Sequence, residues 1–269
     1  LQRRLFQRWL VTIEQPERLP AADTSDQPID YSKSKKMDSL KKTAKLAGLL
    51  YLILAITGVF GIMYVPSTLI VPGDANATVE NIIGNQFLFR LGIISNLVCQ
   101  TLFIFLVLTL YNLFKGVSQS HARLMVALVV ASVPIAFLNM LNQSVVLILL
   151  SGADFLSAFD SRQLSAMVML FLKLHVEGIA IAEIFWGLWL FPFGYLVYHS
   201  GFVPRIFGIL LMIACVAYVI NALTHLLFPD FSESMATILA IPQSIGEFAI
   251  LLWLLIKGVR DQKPVLMPA

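Results

Sequence analysis

The sequence predicts an all-α integral membrane bundle of six transmembrane helices with both termini in the cytoplasm. Three observations predict it. Hydrophobic residues fill 58% of the 269 positions and charged residues only 13%, with a mean hydropathy of +0.81. A soluble globule carries roughly 25% charged residues, because its surface must stay solvated. A chain with about half that share needs a second apolar surface, one that faces lipid. Next, six apolar runs each reach the ~20 residues that cross a ~30 Å hydrocarbon core. Backbone groups in lipid must bond within their own segment, so each run is a helix. Finally, Lys and Arg cluster on alternate connections, which sets direction.

The first 36 residues differ in kind from the rest. They are polar and contain Pro16, Pro20 and Pro28, so residues 15–36 are expected to be disordered. Leu5, Phe6, Trp9, Leu10 and Ile13 among Arg3, Arg4 and Arg8 have the pattern of a short basic surface helix. Met37, with Lys41, Lys42 and Lys45 just before an apolar run, reads instead as a natural start, which makes 1–36 an upstream extension. A transmembrane domain is expected over 37–259 and a cytoplasmic tail over 260–269.

The first span, Ala44–Val65, is too long for the 7–15-residue core of a signal peptide and is read as an uncleaved anchor. Its Gly48, Gly58 and Gly61 predict close helix packing. A loop near Pro66–Leu88 follows, with a turn at Pro72-Gly73. Thr78 is expected to cap a short helix from Val79 lying across the mouth of a cavity, and Asp74 either to pair with Arg90 or to stand as a solvated loop carboxylate. The second and third spans are Phe89–Phe114 and Leu124–Leu150. The fourth, Leu164–Tyr198, is overlong at roughly 52 Å. Leu164–Leu174 is therefore expected at the interface, with the crossing from about Val176 and a kink at Pro192. The fifth and sixth are Ile206–Phe228 and Ala236–Ile256.

One set of connections carries Lys33, Lys35, Lys36, Lys41, Lys42 and Lys45, then Lys115 and Arg123, Arg205, and Lys257, Arg260 and Lys263. The other set carries Asp74, Glu80, Asp154, Asp160, Asp230 and Glu233, against only Arg90 and Arg162. The lysine-rich set is assigned to the cytoplasm. The net charge of +3 sits at span ends rather than in a stripe, so no nucleic-acid partner is expected. The bilayer is the expected partner, and the oligomeric state is left open. Cys99 and Cys215 lie inside apolar runs and read as packing residues.

Polar residues inside spans carry the functional signal, since each is costly unless paired or wetted. Spans two to six each hold a pair at i, i+4, on one helix face: Asn96/Gln100, Asn139/Gln143, Lys173/Glu177, Asn221/His225 and Gln243/Glu247. Asn142 extends the third. Most fall in the outer half, while Glu247 lies roughly 16 Å into its span, near the midplane, as does Glu183. The expected ligand-binding set is Arg90, Asn142, His175, Glu177, Glu183, His225, Gln243 and Glu247, around an outward-facing polar pocket that narrows toward Glu247. Arg90, Lys173 and His225 also lie near enough to span ends to snorkel.

These residues support three functions. The first is binding or movement of a small molecule or ion. The second is an intramembrane metal-dependent hydrolase using His175, His225 and Glu177 or Glu247. The third is an assembly module in which the amides are interhelical glue. No H-E-x-x-H, G-x-S-x-G or G-x-x-x-x-G-K-[ST] motif occurs, so no catalytic residue, metal or cofactor is assigned.

Several stretches also resemble a known family. They are Pro72-Gly73-Asp74-Ala75 with Thr78, Asn81-Ile82 and Phe89-Arg90-Leu91-Gly92, then Gly187 to Tyr198 continuing through Ser200-Gly201 and Pro204-Arg205 to Gly208. Gly246-Glu247 with Leu252-Trp253-Leu254 and Gly258-Val259 completes the set. Together they resemble the bacterial domain-of-unknown-function family 4386 from about Met37 to Val259. The resemblance implies a bacterial multi-pass membrane protein without an assigned activity. It also implies that Asp74, Thr78, Arg90, His175 and Glu247 match the family pattern.

Overall fold

The computed structural model of the protein describes residues 31–260. The expected surface helix near residues 5–13, and all of the tail except Arg260, lie outside the described residues. Among the described residues every regular element is helical. Helix α1 (Tyr31–Gly58) passes into a π-helical stretch, Val59–Tyr64, and a closing turn α2 (Val65–Leu69). A loop helix α3 (Ala75–Gly84) precedes α4 (Gln86–Phe114) and α5 (Gln119–Leu149). After a 3-10 turn at Asp154–Ala158 come α6 (Ser161–Leu188), α7 (Leu190–His199), α8 (Arg205–Leu227) and α9 (Pro229–Ile256).

Six helical stretches are long and apolar enough to cross a membrane, the first being Met37–Leu69 and the fourth Ser161–His199. Large apolar side chains point away from the bundle, among them Phe105, Leu138 and Ile238, which are 55%, 66% and 62% exposed. Water would penalise that surface, whereas lipid accommodates it. The chain is a multi-pass membrane protein.

Helix ends follow local chemistry. Asp160 caps α6 by accepting from Gln163 N at 2.8 Å, while the Gln163 side chain accepts from Asp160 N at 2.9 Å; this is a reciprocal capping box. Pro229 opens α9, where its missing N–H costs nothing. Gly258, with φ of 68°, ends it in the left-handed region.

The residues from Asp38 onward form one compact unit, and a separate unit ends at Met37. Within the larger unit, each span packs on its sequence neighbours. Ser95 Oγ of α4 donates to Thr57 O of α1 at 2.8 Å. Helices α4 and α5, α5 and α6, α6 and α8, and α8 and α9 are in contact in turn, with α7 inserted against α5 and α8. The sixth span then returns to the first, where a Cβ at Gly48 would overlap the backbone of Leu255. The six spans thus close into a ring around a shared interior. Gly61 works likewise, since a Cβ there would overlap the Asn96 amide.

Three sequence expectations need correction. Helix α1 reaches back to Tyr31, into the stretch expected to be disordered. Extending an existing helix needs no new nucleus, so its Lys-rich approach simply continues it. Thr78 is not the cap of the loop helix. Asp74 is, accepting from Ala77 N at 2.9 Å rather than pairing with Arg90. The fully buried Thr78 hydroxyl instead accepts from Val71 N at 3.0 Å and donates to Asp74 O at 2.8 Å. Leu164–Leu174 continues α6 without a break and packs against the loop helix. Val168 and Leu172 are buried with Leu69, Ile82, Phe89 and Val146 in one apolar cluster. The excess length of the fourth span holds α3 and the ends of its neighbours together.

The helix break in that span falls at Trp189, between α6 and α7. Pro192 has no N–H to offer the Leu188 carbonyl four residues earlier, so the interruption lies one turn ahead of the proline.

Candidate functional site

Glu247 lies on α9 beside Gly246, and that glycine sets its position. A Cβ at Gly246 would fall 2.8 Å from Leu210 O, so α9 and α8 touch backbone to backbone there. On α8, Tyr218 reaches across and donates its hydroxyl to Glu247 Oε1 at 2.7 Å. Tyr218 is itself seated against Gly187 of α6, where any side chain would meet its Cβ. On the other side, the close approach of α1 at Gly48 brings Tyr51, one turn later, within reach. Its hydroxyl donates to Glu247 Oε2. Each carboxylate oxygen therefore accepts one phenol, from the first and fifth spans.

These three residues border a cavity of about 140 Å³. The rest of its lining is mostly aromatic and apolar. Phe103 comes from α4, Trp186 and Trp189 from the fourth span, and Leu54, Ala55 and Ile62 from the first. Gln100 of α4 also borders it. Counted along each helix, Tyr51, Gln100, Phe103, Trp186, Trp189, Tyr218 and Glu247 stand roughly 14–21 Å from its lysine-rich end, about half of a ~30 Å core. Two buried polar atoms of the lining, Gln100 Oε1 and Trp186 Nε1, have no hydrogen-bond partner among the described residues. Such atoms cost roughly 1–3 kcal/mol each unless something else pairs with them.

A second, much smaller cavity of about 10 Å³ shares Ile62, Gln100 and Trp186 with the first. Asn96, Asn139 and His175 line it. His175 is buried and held by Asn139 of α5: Asn139 Nδ2 donates to His175 O at 2.9 Å, and His175 Nδ1 lies 3.4 Å from Asn139 O. Asn142 Nδ2 donates to Asn139 Oδ1 at 2.9 Å. The amides of α5 thus lock α6 in place and stand beside the smaller space.

One face of α8 carries Tyr218, Asn221 and His225, spaced three and four residues apart. Each holds a carboxylate. Tyr218 holds Glu247, Asn221 Nδ2 donates to Glu183 Oε1 at 2.9 Å, and His225 Nε2 lies 3.1 Å from Glu177 Oε2. The three pairs form a ladder from mid-bundle to the acidic end. Glu177 is bonded to His225, not to Lys173 as its helix spacing implied.

The expected site residues therefore separate. Glu247 borders the larger cavity and His175 the smaller. Glu183, Glu177 and His225 belong to the ladder, and Asn142 supports Asn139. Gln243 is buried with its Nε2 unpartnered, one helical turn from Glu247. Arg90 is exposed and reaches neither cavity. Tyr51, Phe103, Trp186, Trp189 and Tyr218 were not anticipated. Tyr218 had a legible signal, since it extends the Asn221/His225 face by one turn. His175 and His225 make separate bonds, and among the described residues no group of three or more His, Cys, Asp or Glu is placed to hold a metal.

At the lysine-rich end, Lys42, Lys45, Lys257 and Arg260 border an open groove of about 810 Å³. The Arg260 guanidinium sits 4.8 Å from the Trp253 ring centroid, a cation–π distance.

A family model described as a domain of unknown function, DUF4386, matches residues 46–258. An uncharacterized protein of the archaeon Archaeoglobus fulgidus is 36% identical over 88 residues, 33% of this chain and 51% of that protein. The chain thus spans about half the length of this curated relative. No solved structure matches.

Proposed function

The chain belongs to the DUF4386 family, and from that premise we propose that it binds a small molecule or ion inside the membrane, in the mid-bundle cavity beside Glu247. One observation carries this reading. The cavity holds a positioned carboxylate together with two buried polar atoms, Gln100 Oε1 and Trp186 Nε1, that have no hydrogen-bond partner among the described residues. Interhelical glue would fill the space and pair those atoms. Ligand pockets instead combine apolar walls with a few convergent polar groups.

The lysine-rich end is the cytoplasmic end in this reading, with the protein in the inner membrane and both termini inside. The ligand then enters from the outer, acidic end, along the face of α8 that carries Asn221 and His225.

The test is a thermal-shift panel of metabolites and ions on the purified chain in nanodiscs, run on wild type and Glu247→Gln. At least one compound is expected to raise the wild-type Tm and to lose that effect in the variant. A panel that leaves wild type unmoved, or moves both proteins equally, rejects the reading.

A further inference from the structure

We infer that the mid-bundle cavity takes a small organic cation, an alkylammonium carrying a short hydroxylated arm. This rests on the pocket reading above and adds the chemical class of ligand.

Charge comes first. Among the described residues Glu247 is the one acidic residue of the lining, and no Lys, Arg or His borders the cavity with it. Its two bonds are to neutral phenols. They orient the carboxylate but bring no counter-charge. A carboxylate held away from water is stabilised most by a positive partner. The lining leaves that partner to the ligand.

The walls select which cation. Five aromatic residues, Tyr51, Phe103, Trp186, Trp189 and Tyr218, share this small space. A cation near aromatic faces is attracted by the ring quadrupole, most strongly by Trp, and aromatic cages of this composition suit alkylated ammonium groups. Leu54, Ala55 and Ile62 offer methyl contacts and no oxygen. A bare metal ion needs oxygen ligands on most sides, whereas the Glu247 and phenol oxygens of this lining already bond one another and only Gln100 Oε1 among the described lining side chains is left without a partner.

Size and the unpartnered atoms narrow it further. A volume of about 140 Å³ equals roughly five waters at ~30 Å³ each, enough for a headgroup of a few carbons and too little for a polyamine or nucleotide. Gln100 Oε1 accepts and Trp186 Nε1–H donates, and both residues line the two cavities. A single hydroxyl there accepts from Trp186 and donates to Gln100. The approach has the matching sign, because Glu177 and Glu183 stand along the α8 ladder toward the acidic end.

The experiment compares choline with 3,3-dimethylbutan-1-ol, which has the same shape without the charge. Tetramethylammonium, sodium and potassium chlorides are added at constant ionic strength. Binding to the full chain in nanodiscs is read by tryptophan fluorescence and calorimetry. Choline is expected to bind saturably and at least tenfold more tightly than its neutral isostere. Glu247→Gln is expected to abolish that preference, and Phe103→Leu to weaken choline several-fold. Trp186→Phe, which keeps a ring but loses the N–H, is expected to weaken choline more than tetramethylammonium.

Equal binding of the isostere, or a charge preference surviving Glu247→Gln, overturns the cation assignment and leaves the pocket standing. Sodium or potassium binding that depends on Glu247, with no organic cation bound, does the same. If no probe binds and the metabolite panel is also blank, both readings fall. Should Glu247→Gln not fold, Phe103→Leu and Trp186→Phe decide, and choline affinity unchanged in both overturns the assignment.

Discussion

At Glu247 both carboxylate oxygens are occupied by phenols that arrive from spans far apart in the chain. Tyr218→Phe removes one donor and leaves Oε1 without it. The expected cost is ~1–3 kcal/mol, read as a lower unfolding midpoint in nanodiscs, with Tyr51→Phe costing about the same. Glycines set the same geometry. Gly178→Ala would drive a methyl into the Asn139 amide that bonds His175 O, and overpacking of this kind typically costs 1–3 kcal/mol. Thermal unfolding checks it, with Gly84→Ala as a control at a site with open space. The sequence made Glu247, His175 and Glu183 legible because a buried ionisable group is costly wherever it sits. It did not make Tyr51 or Trp189 legible. An aromatic residue with one polar atom is ordinary inside a membrane helix, and only its neighbours turn it into part of a site. Helix spacing fixes which face a residue occupies but not which helix it meets, which is why Glu177 was matched to Lys173 instead of His225.

Among the elements, the first span is the least regular. Its π-helical stretch at Val59–Tyr64 inserts one residue into the helical count. One residue turns a helix by about 100°, given 3.6 per turn, so the stretch re-aims Val65 and Leu69 into the apolar cluster under α3. Inserting an alanine after the exposed Met63 should rotate both away and lower stability far more than Met63→Ala, which removes surface alone. The same unfolding assay compares the two. The loop helix offers a milder test: Asp74→Ala removes the cap bond to Ala77 N and should cost ~0.5–2 kcal/mol. Composition had marked this helix, but Asp and Thr both serve as caps, and only the path of the loop decides between Asp74 and Thr78. The overlong fourth span was legible by length. Its use as a post for α3 was not, because length carries no information about what packs against it.

For the whole molecule, six crossings were legible since lipid sets a minimum apolar length that each helix meets. The closed ring was not, since hydropathy is silent on neighbours. The proposed orientation predicts a labelling pattern. Cysteines introduced at exposed Ser157 and exposed Gly116 lie at opposite ends of the bundle. A membrane-impermeant maleimide added to intact cells should label the first at once and the second only after lysis. The native Cys99 and Cys215 are buried and should stay silent. The reverse pattern would invert the topology.

The ring has a consequence for biogenesis. The bond between Tyr51 and Glu247 joins residues 196 positions apart, and contacts of such long range form late. Spans leave the ribosome in order, so Tyr51, Gln100, Trp186 and Tyr218 are in the membrane before the carboxylate arrives. The pocket is empty of charge until the last helix docks, and the sixth span both closes the bundle and switches its interior on. A nascent chain arrested after the fifth span would carry most of the walls and none of the charge.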